Sequence, residues 1–108
     1  MLIRMRAPQE MADWSVERAG KNEVRLTGKL QFADIMSVRE RLDQLLEEMK
    51  GDVVVDFSGV TRVDSSALSL WMCGLRRAET LNITLKPVNV PDEMQSIAGL
   101  VGLSQCLS

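Results

Sequence analysis

The residues best placed to do chemistry lie together at Asp64, Ser65 and Ser66, where an apolar run over residues 53–57 leads into a helical pattern. The first turn of such a helix has unpaired backbone N–H groups and the positive end of the helix dipole. A hydroxyl at Ser65 would lie in that turn, and a phosphate added to it would be stabilised by the local amides. Alternatively, Asp64 or Ser65 is a simple N-cap. The two interpretations are compatible, because a capping position can also be modified.

Catalysis by this serine would need a base, and the sequence contains no histidine, the residue that most often takes that role. The remaining basic candidates are the lysines Lys21, Lys29, Lys50 and Lys86. No motif places any of them beside Ser65, and adjacent side chains on a helix, such as those of residues 64 and 65, point apart. We therefore expect a protein that is not an enzyme.

A metal or cofactor site has no support in the residue spacing. Cys73 and Cys106 have neither a CxxC nor a metal-type spacing, and Cys73 falls within an apolar helical run, which indicates a buried reduced thiol. Asp56, Asp64 and Asp92 are too far apart along the chain to form a recognised ligand pattern. The loop before residue 64 holds a single glycine and therefore no glycine-rich phosphate motif. We expect no cofactor.

The composition is that of an ordinary globular domain with a weakly acidic charge. Of the 108 residues, 45% are hydrophobic and 26% are charged, and the formal net charge is -2. Binding to nucleic acid or to anionic lipid needs a basic field, so we expect neither as a partner. The uncharged run over residues 65–75 is too short to cross a bilayer, and residues 1–8 are too short and too charged for a signal peptide. These features favour a cytoplasmic location without direct membrane insertion.

Pro8 interrupts any regular element near the start, so residues 1–11 are expected to be a leader or an edge segment, and residues 12–108 one domain. Alternating apolar residues predict strands, and apolar steps of three and four residues predict helices. The predicted elements are strands near 14–16 and 24–26, a helix over 32–49, a strand over 53–57, a helix over 65–80, a strand over 83–85 and a helix over 91–98. Strand, helix and strand in succession imply a right-handed crossover and parallel pairing. Ser58 and Gly59 are expected to end the central strand, and Gly51 the first helix.

Two predicted helices have faces that matter for function. The first is expected to bury one stripe, which comprises Phe32, Ile35, Met36, Leu42, Leu45, Leu46 and Met49. The second is expected to pack on the sheet through Leu68, Trp71, Met72 and Leu75. A neighbouring strip of the second helix, Ala67, Leu70 and Gly74 with Arg77 beside it, is predicted to be exposed and to contact a partner. The alternative is that the last helix partly covers Leu70.

The segment from Asp56 to Leu68, DFSGVTRVDSSAL, resembles the signature of STAS domains, the fold of bacterial anti-sigma-factor antagonists. Residues 26–30 are similar to the end of the family's early strand and residues 94–103 to its last helix, so the resemblance extends over almost the whole chain. It implies an α/β fold with a single mixed β-sheet, helices packed mainly on one face, and the order β-β-α-β-α-β-α.

Two branches of this family imply two different partners. Residues 68–78, 90–98 and 102–103 are similar to the free-standing, MlaB-like STAS subunit of Mla-type phospholipid-trafficking ABC transporters. That resemblance implies that the turn at residues 64–66 docks on the cytoplasmic ATPase, which would bring the chain to the inner-membrane face. In the antagonist branch, Ser65 occupies the phosphorylated position, and the partner is an anti-sigma factor or a serine kinase. Some STAS relatives hold small molecules, but with aromatic residues at 4% no feature specifically supports a ligand here.

Overall fold

The computed structural model describes residues 13–107, and the leader expected over residues 1–11 lies outside them. Within this range four strands and three α-helices follow each other in the predicted order. They are β1 (Trp14–Gly20), β2 (Glu23–Leu30), α1 (Ile35–Leu46), β3 (Gly51–Val63), α2 (Ser65–Leu81), β4 (Ile83–Val88) and α3 (Asp92–Leu100), with 3-10 turns at Phe32–Asp34 and Ser104–Leu107. The predicted order β-β-α-β-α-β-α is therefore confirmed.

The strands form one mixed sheet in the order β1-β2-β3-β4. β1 pairs antiparallel with β2, whereas β2, β3 and β4 are parallel, so α1 and α2 are the crossovers between them. Gly28 of β2 pairs with Trp14 at a φ of 87°, and a Cβ there would collide with the backbone carbonyl of Asp13. α1 packs on α2 and α2 packs on α3, so the helices lie mainly on one face of the sheet, as predicted.

The core lies between these helices and the face of the sheet that they cover. In β3, Val53, Val55 and Phe57 are buried in alternation, as the pleat of a strand requires. The ring of Phe57 meets that of Trp71 in α2 edge-on, with the centroids 5.6 Å apart. The Nε1–H of Trp71 donates to the backbone oxygen of Cys106 over 2.6 Å. This aromatic pair therefore joins the central strand to α2 and fastens the last 3-10 turn to the same helix.

The other face of the sheet carries polar side chains, of which Asp56 in β3 is the most buried. Its carboxylate accepts hydrogen bonds from the Asn89 side chain over 3.0 Å, from the Ser58 N–H over 2.8 Å and from Arg25 Nε over 3.4 Å. The hydrogen bond from Asn89, with those from Ser58 and Arg25, outweighs burial and lowers the pKa of Asp56 below its ordinary value. Asp56 thereby connects β2, β3 and the segment after β4, which is a structural task.

β4 forms one edge of the sheet within the described residues. It contains Pro87, whose ring removes the backbone N–H that a neighbouring strand would need. Next to it, Lys86 Nζ lies 3.2 Å from an oxygen of Asp52 in β3. The outer side of β4 is therefore poorly suited to further strand pairing.

β3 continues through Ser58 and Gly59 to Val63, so the predicted end of the strand at residues 58–59 is wrong. Residues 59–63 stay paired with residues 27–30 of β2. A Cβ at Gly59 would press on the side chain of Thr27, so this glycine lets the two strands remain close and does not interrupt them. The longer strand carries the chain directly to Asp64 and the start of α2.

Candidate functional site

Asp64 is the N-cap of α2, in agreement with the capping interpretation. Its backbone is extended, with φ -132° and ψ -169°, and its Oδ1 accepts a hydrogen bond from the Ser66 N–H over 2.8 Å. Its Oδ2 accepts a second hydrogen bond, from the Phe32 N–H over 3.0 Å. One carboxylate therefore joins the start of α2 to the 3-10 turn that precedes α1.

These contacts stabilise the charged form of Asp64. Burial by itself would raise the pKa of Asp64, but the N–H groups of Phe32 and Ser66 and the Ser66 hydroxyl outweigh it and lower that pKa below its ordinary value. Both carboxylate oxygens are thus engaged by backbone N–H groups. Asp64 is therefore occupied as a cap and is not arranged as a base for the neighbouring hydroxyl.

Ser65 is the first residue of α2, and its side chain is exposed, whereas Ser66 is half-buried. Within residues 13–107 the Ser65 hydroxyl makes no hydrogen bond to the protein. The position that the sequence singled out is therefore accessible to another molecule, and its hydroxyl is not needed to hold the fold.

Two large apolar side chains lie beside this turn on the surface. Phe32 is 78% exposed and Met36 is 72% exposed, so their assignment to the buried stripe of the first helix is wrong. The reason is helix phase, because α1 begins only at Ile35 and Met36 lies about 200° around the helix axis from the buried Val38. The other members of the predicted stripe are buried or half-buried. A stripe counted from Val38 would have indicated the exposed pair.

An apolar cleft of about 180 Å³ lies between the N-terminal halves of α1 and α2. Its lining residues are Ile35, Met36, Arg39, Ser69, Leu70 and Cys73. Ser69 is exposed and lies one helical turn after Ser65 on the same side of α2. We call the exposed residues Phe32, Met36, Ser65 and Ser69 the Ser65 surface; it combines hydroxyl groups with uncovered apolar area and borders the cleft.

The strip predicted to be exposed on α2 is buried instead, so that expectation is wrong. Ala67 is 0% exposed and Leu70 is 4% exposed. A Cβ at Gly74 would lie 3.6 Å from a methyl of Leu85 and 3.7 Å from one of Leu42. The strip thus faces the angle between α1 and the sheet, where small residues let the two layers approach closely. Leu70 reaches the surface where it helps to line the apolar cleft.

The remaining predictions for α2 are met in part. Leu68 and Trp71 are buried, whereas Met72 and Leu75 are half-buried. Arg77, expected to contact a partner, is half-buried, and its Nη2 donates to Glu47 Oε2 just after α1 over 2.6 Å. The guanidinium of Arg77 therefore already links α2 to the end of the first crossover.

Over residues 13–107 no group of three or more histidine, cysteine, aspartate or glutamate residues is arranged to hold a metal ion. No helix in the same range has the length and apolar character needed to span a membrane.

Comparison with known proteins was made for both sequence and fold. The family model described as "Mlab, STAS domain" matches residues 14–108. No curated protein matches the chain. The family match includes every residue of the Ser65 surface.

Several solved structures share the fold. The anti-sigma factor antagonist SpoIIAA in its unphosphorylated form has a TM-score of 0.68 and 15% identity, and the match covers 88% of this chain and 85% of that one. The Bacillus cell fate determinant SpoIIAA in the phosphorylated form has a TM-score of 0.65 and 16% identity, with 88% of each chain covered. A structure of Mglu matches 70% of this chain but only 19% of its own, with a TM-score of 0.53 and 24% identity. At these identities the likeness is one of fold.

Proposed function

Because the chain belongs to the STAS domain family, whose members bind other proteins, we propose that it is a non-catalytic accessory subunit of a phospholipid-trafficking ABC transporter. In that role it binds the cytoplasmic ATPase and supports its assembly and activity, with no chemistry of its own. The transporter serves outer-membrane lipid asymmetry, and its ATPase holds the subunit in the cytoplasm at the inner-membrane face.

The observation that carries this proposal is the Ser65 surface. Large apolar side chains left in water at one place on a small domain mark a contact area, because burying each of them on a partner is favourable by roughly 1.5–3 kcal/mol. Phe32 and Met36 are such side chains, at 78% and 72% exposure. They lie beside an exposed hydroxyl at Ser65 that the fold itself does not use. The surface is therefore suited to docking.

The surroundings of Ser65 support the non-catalytic role. The chain has no histidine, and the carboxylate of Asp64 is engaged by the Phe32 and Ser66 N–H groups. A serine nucleophile needs a base within hydrogen-bond reach, and none of the described side chains fills that place. The Mlab description of the matching family model supports the transporter branch.

The test is a pull-down with the ATPase subunit of the phospholipid-trafficking transporter of the same cell. The Ser65→Arg variant places a long charged side chain at the centre of the surface, and we expect it to lower the affinity by at least about tenfold, or 1.4 kcal/mol. Thr84→Arg is the matched control, because Thr84 is exposed near the opposite end of the parallel strands. Full ATPase binding by a folded Ser65→Arg variant would contradict the proposal.

A second candidate function is that of an anti-sigma-factor antagonist controlled by phosphorylation of Ser65. It is favoured by the exposure of the Ser65 hydroxyl at a helix N-terminus and by the likeness of fold to SpoIIAA, solved in unphosphorylated and phosphorylated forms. A phosphate there would repel an anti-sigma factor or kinase by charge and bulk. The intact mass of the protein from its native cells distinguishes the two. A species heavier by one phosphate that disappears in Ser65→Ala would favour this second function.

A further inference from the structure

A second cleft continues the apolar one along the same pair of helices. It has a volume of about 200 Å³ and is lined by Arg39, Asp43, Cys73, Arg76, Arg77 and Thr80. Arg39 and Cys73 line both clefts, so the two clefts adjoin each other between α1 and α2. We call the two clefts together the α1–α2 groove.

The two ends of the groove differ in chemical character, and the direction of the helices determines which end is which. α1 and α2 are both crossovers between parallel strands, so the two helices run in the same direction. The apolar end, with Met36 and Ser69, therefore adjoins the Ser65 surface. The other end, with Arg76 and Thr80, lies toward the C-terminal ends of both helices. From Met36 to Asp43 the separation is two helical turns, roughly 10 Å.

Positive charge at the far end of the groove is only partly neutralised within the chain. Arg77 is paired with Glu47 at 2.6 Å, but Arg39 approaches Asp43 no closer than 4.0 Å. Arg76 is exposed, and no acidic side chain among residues 13–107 pairs with it. In a chain whose net charge is -2, this local excess of guanidinium groups favours an acidic counterpart.

We propose that the α1–α2 groove receives an amphipathic helix of the partner, oriented by charge. A large apolar side chain of that helix fills the cleft beside Met36, and an acidic side chain one to two turns further along, roughly 5–10 Å, pairs with Arg39 and Arg76. An apolar face laid into a groove is a common way of binding helices. The inference rests on the proposed function, since the helix belongs to the protein that contacts the Ser65 surface.

The charged end is tested by the affinity for the ATPase subunit at low and at raised salt. The double variant Arg39→Glu/Arg76→Glu is expected to bind about tenfold more weakly at low salt, and to lose most of the salt dependence that the parent chain has. The matched control is Lys21→Glu/Lys50→Glu, which changes the net charge equally at exposed positions in the turn before β2 and the loop before β3. Equal losses in the two double variants would overturn the proposal.

The apolar end is tested through Cys73, a half-buried free thiol in the groove. Bound ATPase is expected to slow its alkylation by iodoacetamide at least about tenfold, whereas Cys106, half-buried beside Trp71, keeps its rate. If Ser65→Arg abolishes ATPase binding but Cys73 stays reactive in the parent complex, the groove proposal fails and the proposed function stands. If the parent chain does not bind the ATPase, the proposed function fails. In that event, the chain is tested for binding to phosphatidylglycerol vesicles and for dimerisation. Either of these, if lost in Arg39→Glu/Arg76→Glu, would also overturn the proposal that the groove receives a helix of the partner.

Discussion

At the scale of single residues, Asp64 has the clearest energetic role. It caps α2 through Ser66 and holds the turn before α1 through Phe32. Both partners are backbone N–H groups, so removal of the carboxylate takes away the acceptor of both. The Ser65 hydroxyl beside it makes no hydrogen bond within the described range. Asp64 thus contributes to stability and Ser65 to docking. Substitutions at these two adjacent positions can therefore distinguish the two roles.

We expect Asp64→Ala to lower the free energy of unfolding by about 2 kcal/mol, of which the N-cap alone accounts for about 1. Urea unfolding followed by circular dichroism measures this. Ser65→Ala is the control and should change stability by less than about 0.5 kcal/mol, because the residue is exposed and unbonded. Equal effects of the two substitutions would show that Asp64 does not fasten both segments.

The lowered pKa of Asp64 makes stability depend on acid. The pKa of this carboxyl is lower in the folded chain than its ordinary value, so the unfolded chain binds more protons in the interval between the two. Stability from Asp64 is therefore complete above about pH 4, near the ordinary pKa of aspartate, and is lost as the pH falls through the folded pKa. The pKa of Asp56 is also lowered, so its contribution to stability is likewise lost as the pH falls. We expect Asp64→Ala to flatten the decline in unfolding free energy below about pH 4, and an unchanged slope would contradict this.

Truncation of an exposed apolar residue near the cleft should weaken ATPase binding, whereas truncation of a buried one should lower the free energy of unfolding. Phe32→Ser and Met36→Ser are expected to change the free energy of unfolding by less than about 0.5 kcal/mol but to weaken ATPase binding. Leu70→Ala, at a position only 4% exposed, is expected to cost about 2–5 kcal/mol of stability. Thermal unfolding and pull-down on the same samples make the comparison. A large stability loss in Phe32→Ser would mean that this ring belongs to the core.

The capping role of Asp64 and the accessibility of Ser65 could be inferred from local chemistry. Each depends on residues within one turn of the chain. Two features could not be inferred in this way. The exposure of Phe32 and Met36 depends on where α1 begins. The burial of Leu70 depends on which side of α2 faces Leu42 and Leu85.

At the scale of elements, the pairing of β1 with β2 depends on Gly28. Its φ of 87° and the nearness of the Asp13 carbonyl together exclude a side chain. Gly51, at the start of β3, also has a positive φ of 74°, but nothing lies within 4 Å of a Cβ there. The two glycines thus share one backbone requirement and differ in steric surroundings.

Gly28→Ala is expected to destabilise the chain by clearly more than Gly51→Ala. The second substitution carries only the cost of a left-handed backbone, about 1 kcal/mol, whereas the first adds displacement of the chain at Asp13. Chemical denaturation of both variants gives the comparison. Equal losses of unfolding free energy would show that the backbone at Asp13 moves away from a Cβ at position 28 at little cost.

The order of elements was accessible from periodicity, but the length of β3 was not. A Ser58-Gly59 pair is an ordinary signal for a turn. Here Gly59 instead allows close contact with Thr27, and the pairing with β2 continues to Val63. The length of β3 therefore depends on its pairing with β2, a strand distant along the chain.

At the scale of the whole molecule, β3 is the centre of the sheet and of the core. It is paired with β2 on one side and with β4 on the other. We therefore expect the amides of Val53 and Val55 to exchange hydrogen only on global unfolding. The amides of residues 104–107, which lie in the last 3-10 turn outside the sheet, should exchange sooner. Native-state hydrogen exchange checks this, and the reverse order would contradict it.

Pro87 on the β4 edge of the sheet affects whether neighbouring copies of this protein can pair through that strand. Without an N–H at that point, the rim cannot act as a template on which a neighbouring chain lines up its backbone. Backbone pairing of crowded molecules through β4 is thereby disfavoured.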